Sequence, residues 1–144
     1  MATAIDTEVT IDQPVDVVWE TMTDWARSGD WMPGIDGVKA DGDTVPGTTL
    51  TFRARGKDRI ATVLDVEPGR ALTLRSSQGG VTADYRYRLE PIGEGRSRAQ
   101  LVAECRTSGL WSLVGPVLRV AIRRTDGSQM AKLKAAVERG SQEG

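Results

Sequence analysis

Residues 4–11, AIDTEVTI, set Ile5, Thr7, Val9 and Ile11 on one face and Asp6, Glu8 and Thr10 on the other, the period of two of a half-buried strand. The period then changes. Val15, Val18, Trp19 and Met22 fall at i, i+3, i+4 and i+7, which predicts an amphipathic helix of about three turns. Asp12 is its candidate cap and Pro14 suits its first turn. In DWARSGDWMPGIDGV, Gly29, Pro33, Gly34 and Gly37 exclude a long helix, leaving a short helical turn capped near Ser28. From there to Arg106, strand-like runs are divided by Gly42-Asp43, Pro46-Gly47, Gly56, Pro68-Gly69, Gly79-Gly80 and Gly93-Glu94-Gly95, predicting six strands in a meander. Leu110 to about Val137 turns helical again, with Ser108 as a possible cap and Gly115-Pro116 as a kink or restart. The last residues, RGSQEG, have no apolar partner and are expected to fray. The chain therefore reads as one α+β domain over residues 1–140, followed by a frayed tail at 141–144.

Alternation also assigns faces. Beyond the first strand, the apolar parity places inward Leu50, Phe52 and Ala54; Ile60, Thr62, Leu64 and Val66; Leu72 and Leu74; Ala83, Tyr85, Tyr87 and Leu89; and Ala99, Leu101, Ala103 and Cys105. The ions fall outward: Arg53, Arg55, Asp65, Glu67, Asp84, Arg86, Arg88, Arg98 and Glu104. A sheet with one wet face should look like this.

Composition narrows the chemistry. The 144 residues are 39% hydrophobic and 27% charged, with 19 basic and 20 acidic side chains. Such a chain supports one core and lacks the global field that nucleic acid or an anionic membrane would need. There is no histidine, which removes the commonest metal ligand and general base together. No metal, cofactor or nucleophilic triad is expected. The single Cys105 excludes an internal disulfide and suits a reducing compartment. MATAIDTEVTID has neither the apolar run of a signal nor that of a membrane span, so a cytoplasmic location without stable membrane insertion is expected.

The stretches IDQPVDVVWETMTDWARSGDWMPGI, VLDVEPGRALTL and ADYRYRLEPIGEGRSRAQL, with a last helix ending QMAKLKAAVE, resemble the START-like helix-grip (SRPBCC) superfamily in its polyketide cyclase/dehydrase-like branch. The resemblance covers nearly the whole chain. It implies a helix-grip fold: a curved seven-stranded antiparallel sheet around a long C-terminal helix, with a short helical pair after the first strand. It also implies an apolar cavity. Aromatase/cyclase members are thought to use a cavity arginine on a middle strand, and the matching stretch here, Ile60 to Val66, has none.

The expected ligand-binding set is Trp25, Trp31, Met32, Phe52, Thr62, Leu64, Leu74, Tyr85, Tyr87, Leu101, Leu118 and Ile122. Trp25, Trp31 and Met32 either gate the cavity mouth or are core. Tyr85 and Tyr87 put two phenols on one wall, as ligand contacts or as packed core with satisfied hydroxyls. Asp126 interrupts the apolar stripe of the last helix, either projecting inward or marking a solvated break at Asp126-Gly127. Tyr85, Tyr87 and Asp126 are the only catalytic candidates. Arg53 and Arg55, and Arg123-Arg124, read as solvated surface. The leading expectation is a protein that binds a small hydrophobic or polycyclic metabolite. The alternatives are a polyketide cyclase/dehydrase-type enzyme that folds a flexible substrate in the same cavity, and a regulatory or interaction protein with a vestigial pocket.

Overall fold

The computed structural model describes residues 2–32, 35–54, 56–78, 80–108, 113 and 115–143. The elements run β1 (Ala2–Ile11), α1 (Val15–Thr23), a 3-10 turn (Trp25–Asp30), β2 (Ile35–Ala40), β3 (Thr49–Ala54), β4 (Lys57–Glu67), β5 (Ala71–Gln78), β6 (Val81–Pro91), β7 (Ser97–Thr107), α2 (Gly115–Asp126) and α3 (Gln129–Glu143). The seven strands form one antiparallel sheet in the order β1-β7-β6-β5-β4-β3-β2. Strands β2 to β7 are a meander, and β1 joins its last strand. Each turn signal in the sequence separates two strands. Gly47, Gly56, Gly69, Gly93 and Gly95 all take positive φ, the backbone state in which a side chain is penalised.

The helices cover one face. α1 packs against α3 and β6, the 3-10 turn against β2, and α2 and α3 against β1 and β7. Polar ties fasten the C-terminal helices along β1. Arg123 Nε donates to the Ala4 carbonyl at 3.0 Å, Lys134 Nζ to the Thr10 carbonyl at 2.9 Å, and the Asp12 amide to Glu138 Oε2 at 3.2 Å. The core beneath them includes Ile11, Val18, Met22, Leu72, Leu101, Met130, Leu133 and Val137.

Several local expectations change. Asp12 does not cap α1: the N-cap is Pro14, without a side-chain hydrogen bond, and Asp12 instead pairs with Arg96. Ser28 lies inside the 3-10 turn, fully buried, donating to the Trp25 carbonyl. α2 starts at Gly115, with Pro116 in the first turn that proline favours; the helical stretch expected from Leu110 up to that point lies almost wholly outside the described residues. The long C-terminal helix breaks at Gly127-Ser128. A Cβ on Gly127 would stand 2.3 Å from the Arg123 carbonyl oxygen, so the break needs the missing side chain. α3 is helical through Glu143.

The main correction concerns β4. Ala61 pairs with Leu50, Val63 with Leu74 and Val66 with Leu72, with a register shift between Val63 and Asp65. Ala61 and Val63 are therefore inside, and Ile60 is 60% exposed. Thr62 sits opposite Thr49 and Arg75 on the outer face, and Leu64 lies at the irregularity, also exposed. One extra residue in a strand restores the inward parity for Val66, so a single alternation cannot describe the whole run.

Candidate functional site

The helix-facing side of the sheet can be followed strand by strand from its pairing. One row is Val66, Leu72, Tyr87, Leu101 and Thr7; the next is Val63, Leu74, Tyr85, Ala103 and Ile5. A third is Leu50, Ala61, Ser76, Ala83 and Cys105. Phe52 stands opposite Arg59, and Val81 opposite Thr107. The described inner positions of β3 to β7 carry no carboxylate.

Burial along this face is graded. Leu89, Ala99, Leu101 and Tyr87 are closed off beneath α1, the 3-10 turn and α3. Toward the β5–β6 hairpin, Phe52, Arg59, Ser76, Val81 and Thr107 are only half-buried. The face thus has a sealed end and an open end.

Near the sealed end lies a small polar cluster. Tyr87 Oη donates to Gln129 Oε1 at 2.7 Å, both residues being buried. Gln129 is the first residue of α3, so the helix break delivers it. The Trp31 ring meets Tyr87 edge to face, with centroids 5.7 Å apart, an arrangement favoured by the ring quadrupoles. Trp31 is 1% exposed. Its Nε1 and Thr7 Oγ1 are both buried without a hydrogen-bond partner among the described residues. An unmet buried polar atom costs about 1–3 kcal/mol, so two on one apolar face call for an explanation.

Of the expected ligand-binding residues, the structure brings Trp31, Phe52, Leu74, Tyr85, Tyr87, Leu101 and Ile122 to the helix-facing core. Trp25 and Met32 are also buried there, and Trp25 Nε1 donates to Thr44 Oγ1 at 3.0 Å. These three large residues are core, not exposed gate. Thr62 and Leu64 leave the set because of the β4 parity. The side chains of Leu118 and Asp126 lie outside the described residues, as does Trp111; Asp126 is the last residue of α2, directly before the break.

Three polar residues were missed. Gln129 was hidden in a stripe read only for its apolar members. Arg59 precedes the stretch read as the middle strand, and only the Phe52 pairing turns it inward. Arg119 projects from the sheet-facing side of α2: its Nη1 lies 3.4 Å from the place a Cβ on Gly115 would occupy, as does Thr107 Oγ1. The first turns of α2 are otherwise inverted, with Val117 and Val120 exposed to solvent. Arg119 also acts on the Cys105 thiol, whose pKa burial pushes up and this guanidinium partly lowers. On the outer face, Asp84 is 1% exposed and accepts two bonds from Arg75, at 2.7 and 2.8 Å. They hold its carboxyl below the usual range.

Among the described residues no group of three or more metal-ligating side chains converges, and no helix is long and apolar enough to cross a membrane. No curated protein matches the sequence. Solved structures with the same architecture include the Zhui aromatase/cyclase from Streptomyces sp. R1128, at 18% identity over 93% of this chain and 92% of that one, with TM-score 0.72. A START superfamily protein from Mycobacterium smegmatis is 15% identical, over 93% of this chain and 96% of that one, with TM-score 0.74. The di-domain ARO/CYC BexL from the BE-7585A biosynthetic pathway is 18% identical over 96% of this chain and 47% of its own length, with TM-score 0.79. Such identities speak for the fold, which hosts many functions. The family model described as polyketide cyclase / dehydrase and lipid transport matches residues 2–138, and over that whole length this chain belongs to that family.

Proposed function

We propose that this protein binds a small, largely apolar molecule between the inner face of the sheet and its C-terminal helices. Phe52, Ala61, Val63, Leu74, Tyr85 and Ile122 supply the apolar surface, and the polar cluster around Tyr87 orients the ligand. The observation that carries this reading is the pair of unmet buried polar atoms: Trp31 Nε1, on the ring that packs against Tyr87, and Thr7 Oγ1, two strands from Tyr87 in the same row. A ligand carbonyl or hydroxyl reaching either atom would satisfy it. Apolar burial supplies affinity at about 25 cal/mol per Å² and the few polar groups supply orientation.

The test is native mass spectrometry of protein purified gently from its own source, followed by denaturing extraction. A stoichiometric small molecule with an apolar body and at least one oxygen supports the reading. A clean apo mass, together with no uptake of the neutral dye Nile red, would sink it.

Family membership keeps a second reading in play, in which the same face folds a flexible polyketide-like substrate for cyclisation or dehydration. Positioning is then the main source of rate, and Tyr85 or Tyr87 is the weak acid. Tyr→Phe variants that still bind but no longer turn over would support it; unchanged turnover removes the tyrosines from the mechanism.

A further inference from the structure

Among the described residues, the open end of the inner face carries two cations without a partner. Arg59 enters from β4 opposite Phe52; Arg119 enters from α2, over β7, next to Gly115 and Thr107. Both are half-buried, and among the described residues neither has a hydrogen-bond or ion-pair partner. On the outer face three arginines find carboxylates, Arg75 with Asp84, Arg86 with Glu104 and Arg98 with Glu90. Arg88 and Arg106, without one among the described residues, are exposed to solvent, whereas Arg59 and Arg119 are half-buried on the inner side. The inner positions of β3 to β7 offer no carboxylate to pair with. The inner residues at this end are Phe52, Ser76, Val81, Ala83, Cys105 and Thr107, all uncharged side chains.

Half-buried guanidinium groups beside apolar side chains lose hydration and gain most from an anion with matching planar geometry. β4 and β7 are three strand spacings apart, roughly 14 Å along the sheet. Both arginines sit on the helix-facing side, one at each edge of that gap, and each carries a long flexible side chain. The deep cluster at Tyr87 lies six residues along β6 from Val81, roughly 20 Å at the usual strand rise. The two polar zones are therefore separated by an apolar stretch of the inner face.

We propose that Arg59 and Arg119 form a carboxylate-recognising subsite at the open end, so that the ligand is an acid: an apolar body seated on the inner face with its carboxylate held between the two guanidinium groups. This rests on the ligand-binding reading above and adds the charge and orientation of the ligand. The acid group stays at the open end, and the apolar body enters first.

The test compares 1-pyrenebutyric acid with 1-pyrenebutanol, which share rings and chain length and differ in charge, using Nile red as a neutral reporter of the apolar face. The wild type should bind the acid about tenfold more tightly than the alcohol, the order of one charge-assisted contact. Arg59→Gln and Arg119→Gln should each remove most of that preference while leaving alcohol and Nile red affinity unchanged, with circular dichroism confirming the fold. Adding salt should weaken the acid more than the alcohol. Equal binding of acid and alcohol, refusal of both while Nile red is taken up, or a preference that survives in the double variant would overturn the subsite and leave the binding reading standing. Refusal of all three compounds overturns both.

Discussion

Thr7 Oγ1 shows how one atom can separate stability from function. It is buried without a partner, so Thr7→Val removes a desolvated hydroxyl at nearly constant shape. The apo protein should gain up to about 1 kcal/mol, read as a higher urea midpoint at unchanged slope, while ligand affinity falls. Gly127 is the opposite case. Its absent Cβ would lie 2.3 Å from the Arg123 carbonyl oxygen, so Gly127→Ala must push the end of α2 away. Overpacking of this kind costs about 1–3 kcal/mol, and thermal unfolding measures it.

Asp84 makes a pH prediction at the same scale. Its folded pKa is lowered, first by hydrogen bonding from Arg75, against the opposing effect of burial. A depressed carboxylate stabilises the fold fully above its unfolded pKa, and the contribution disappears as pH falls through the folded value. Stability should therefore decline on the acid side, below the ordinary carboxylate range. Asp84→Asn should be less stable at neutral pH and show a shallower acid decline. Urea midpoints measured at a series of acidic pH values check both the sign and the window.

Among the elements, β4 is the one whose inner face simple alternation does not give. The run IATVLDV holds apolar residues on both parities, and alternation alone selects the bulkier set, Ile60, Leu64 and Val66. Pairing with β3 and β5 selects Ala61 and Val63 and resets the phase at the irregularity. Ile60→Lys should then stay within about 0.5 kcal/mol of wild type, as surface changes do. Val63→Ala, at 0% exposure, should cost about 2 kcal/mol. Similar effects from the two would contradict this parity. The same parity turns Arg59 inward opposite Phe52, so the β4 register sets both the apolar lining and the candidate anion subsite. In the C-terminal helices the apolar stripe was legible through Met130, Leu133 and Val137, all buried. Gln129 was not, because its role depends on where the helix restarts relative to Tyr87.

For the molecule as a whole, the architecture has a closed end under α1 and α3 and a less covered end at the β5–β6 hairpin. A ligand that binds only the folded state adds stability by mass action, about 2.7 kcal/mol at a hundredfold excess over Kd. A matched acid should raise Tm in wild type and raise it less in Arg59→Gln and Arg119→Gln, which ties the site to the fold in one scanning measurement.

What the amino-acid pattern settles here is local and periodic. It determines the number and order of the strands through glycine and proline turns, the apolar faces of β1, β3, β5, β6 and β7, the stripe of α1, and the absence of histidine chemistry. Those follow from backbone sterics and from the alternation of side chains. Tertiary structure decided the rest. Register placed the β4 irregularity, close packing turned Trp25, Trp31 and Met32 into core, and the break at Gly127-Ser128 set Gln129 against Tyr87. Arg59 and Arg119, sixty residues apart in sequence, came to one end of one face. None of these is periodic: each depends on which distant residue lies opposite, and that is determined only when the sheet and its helices close together.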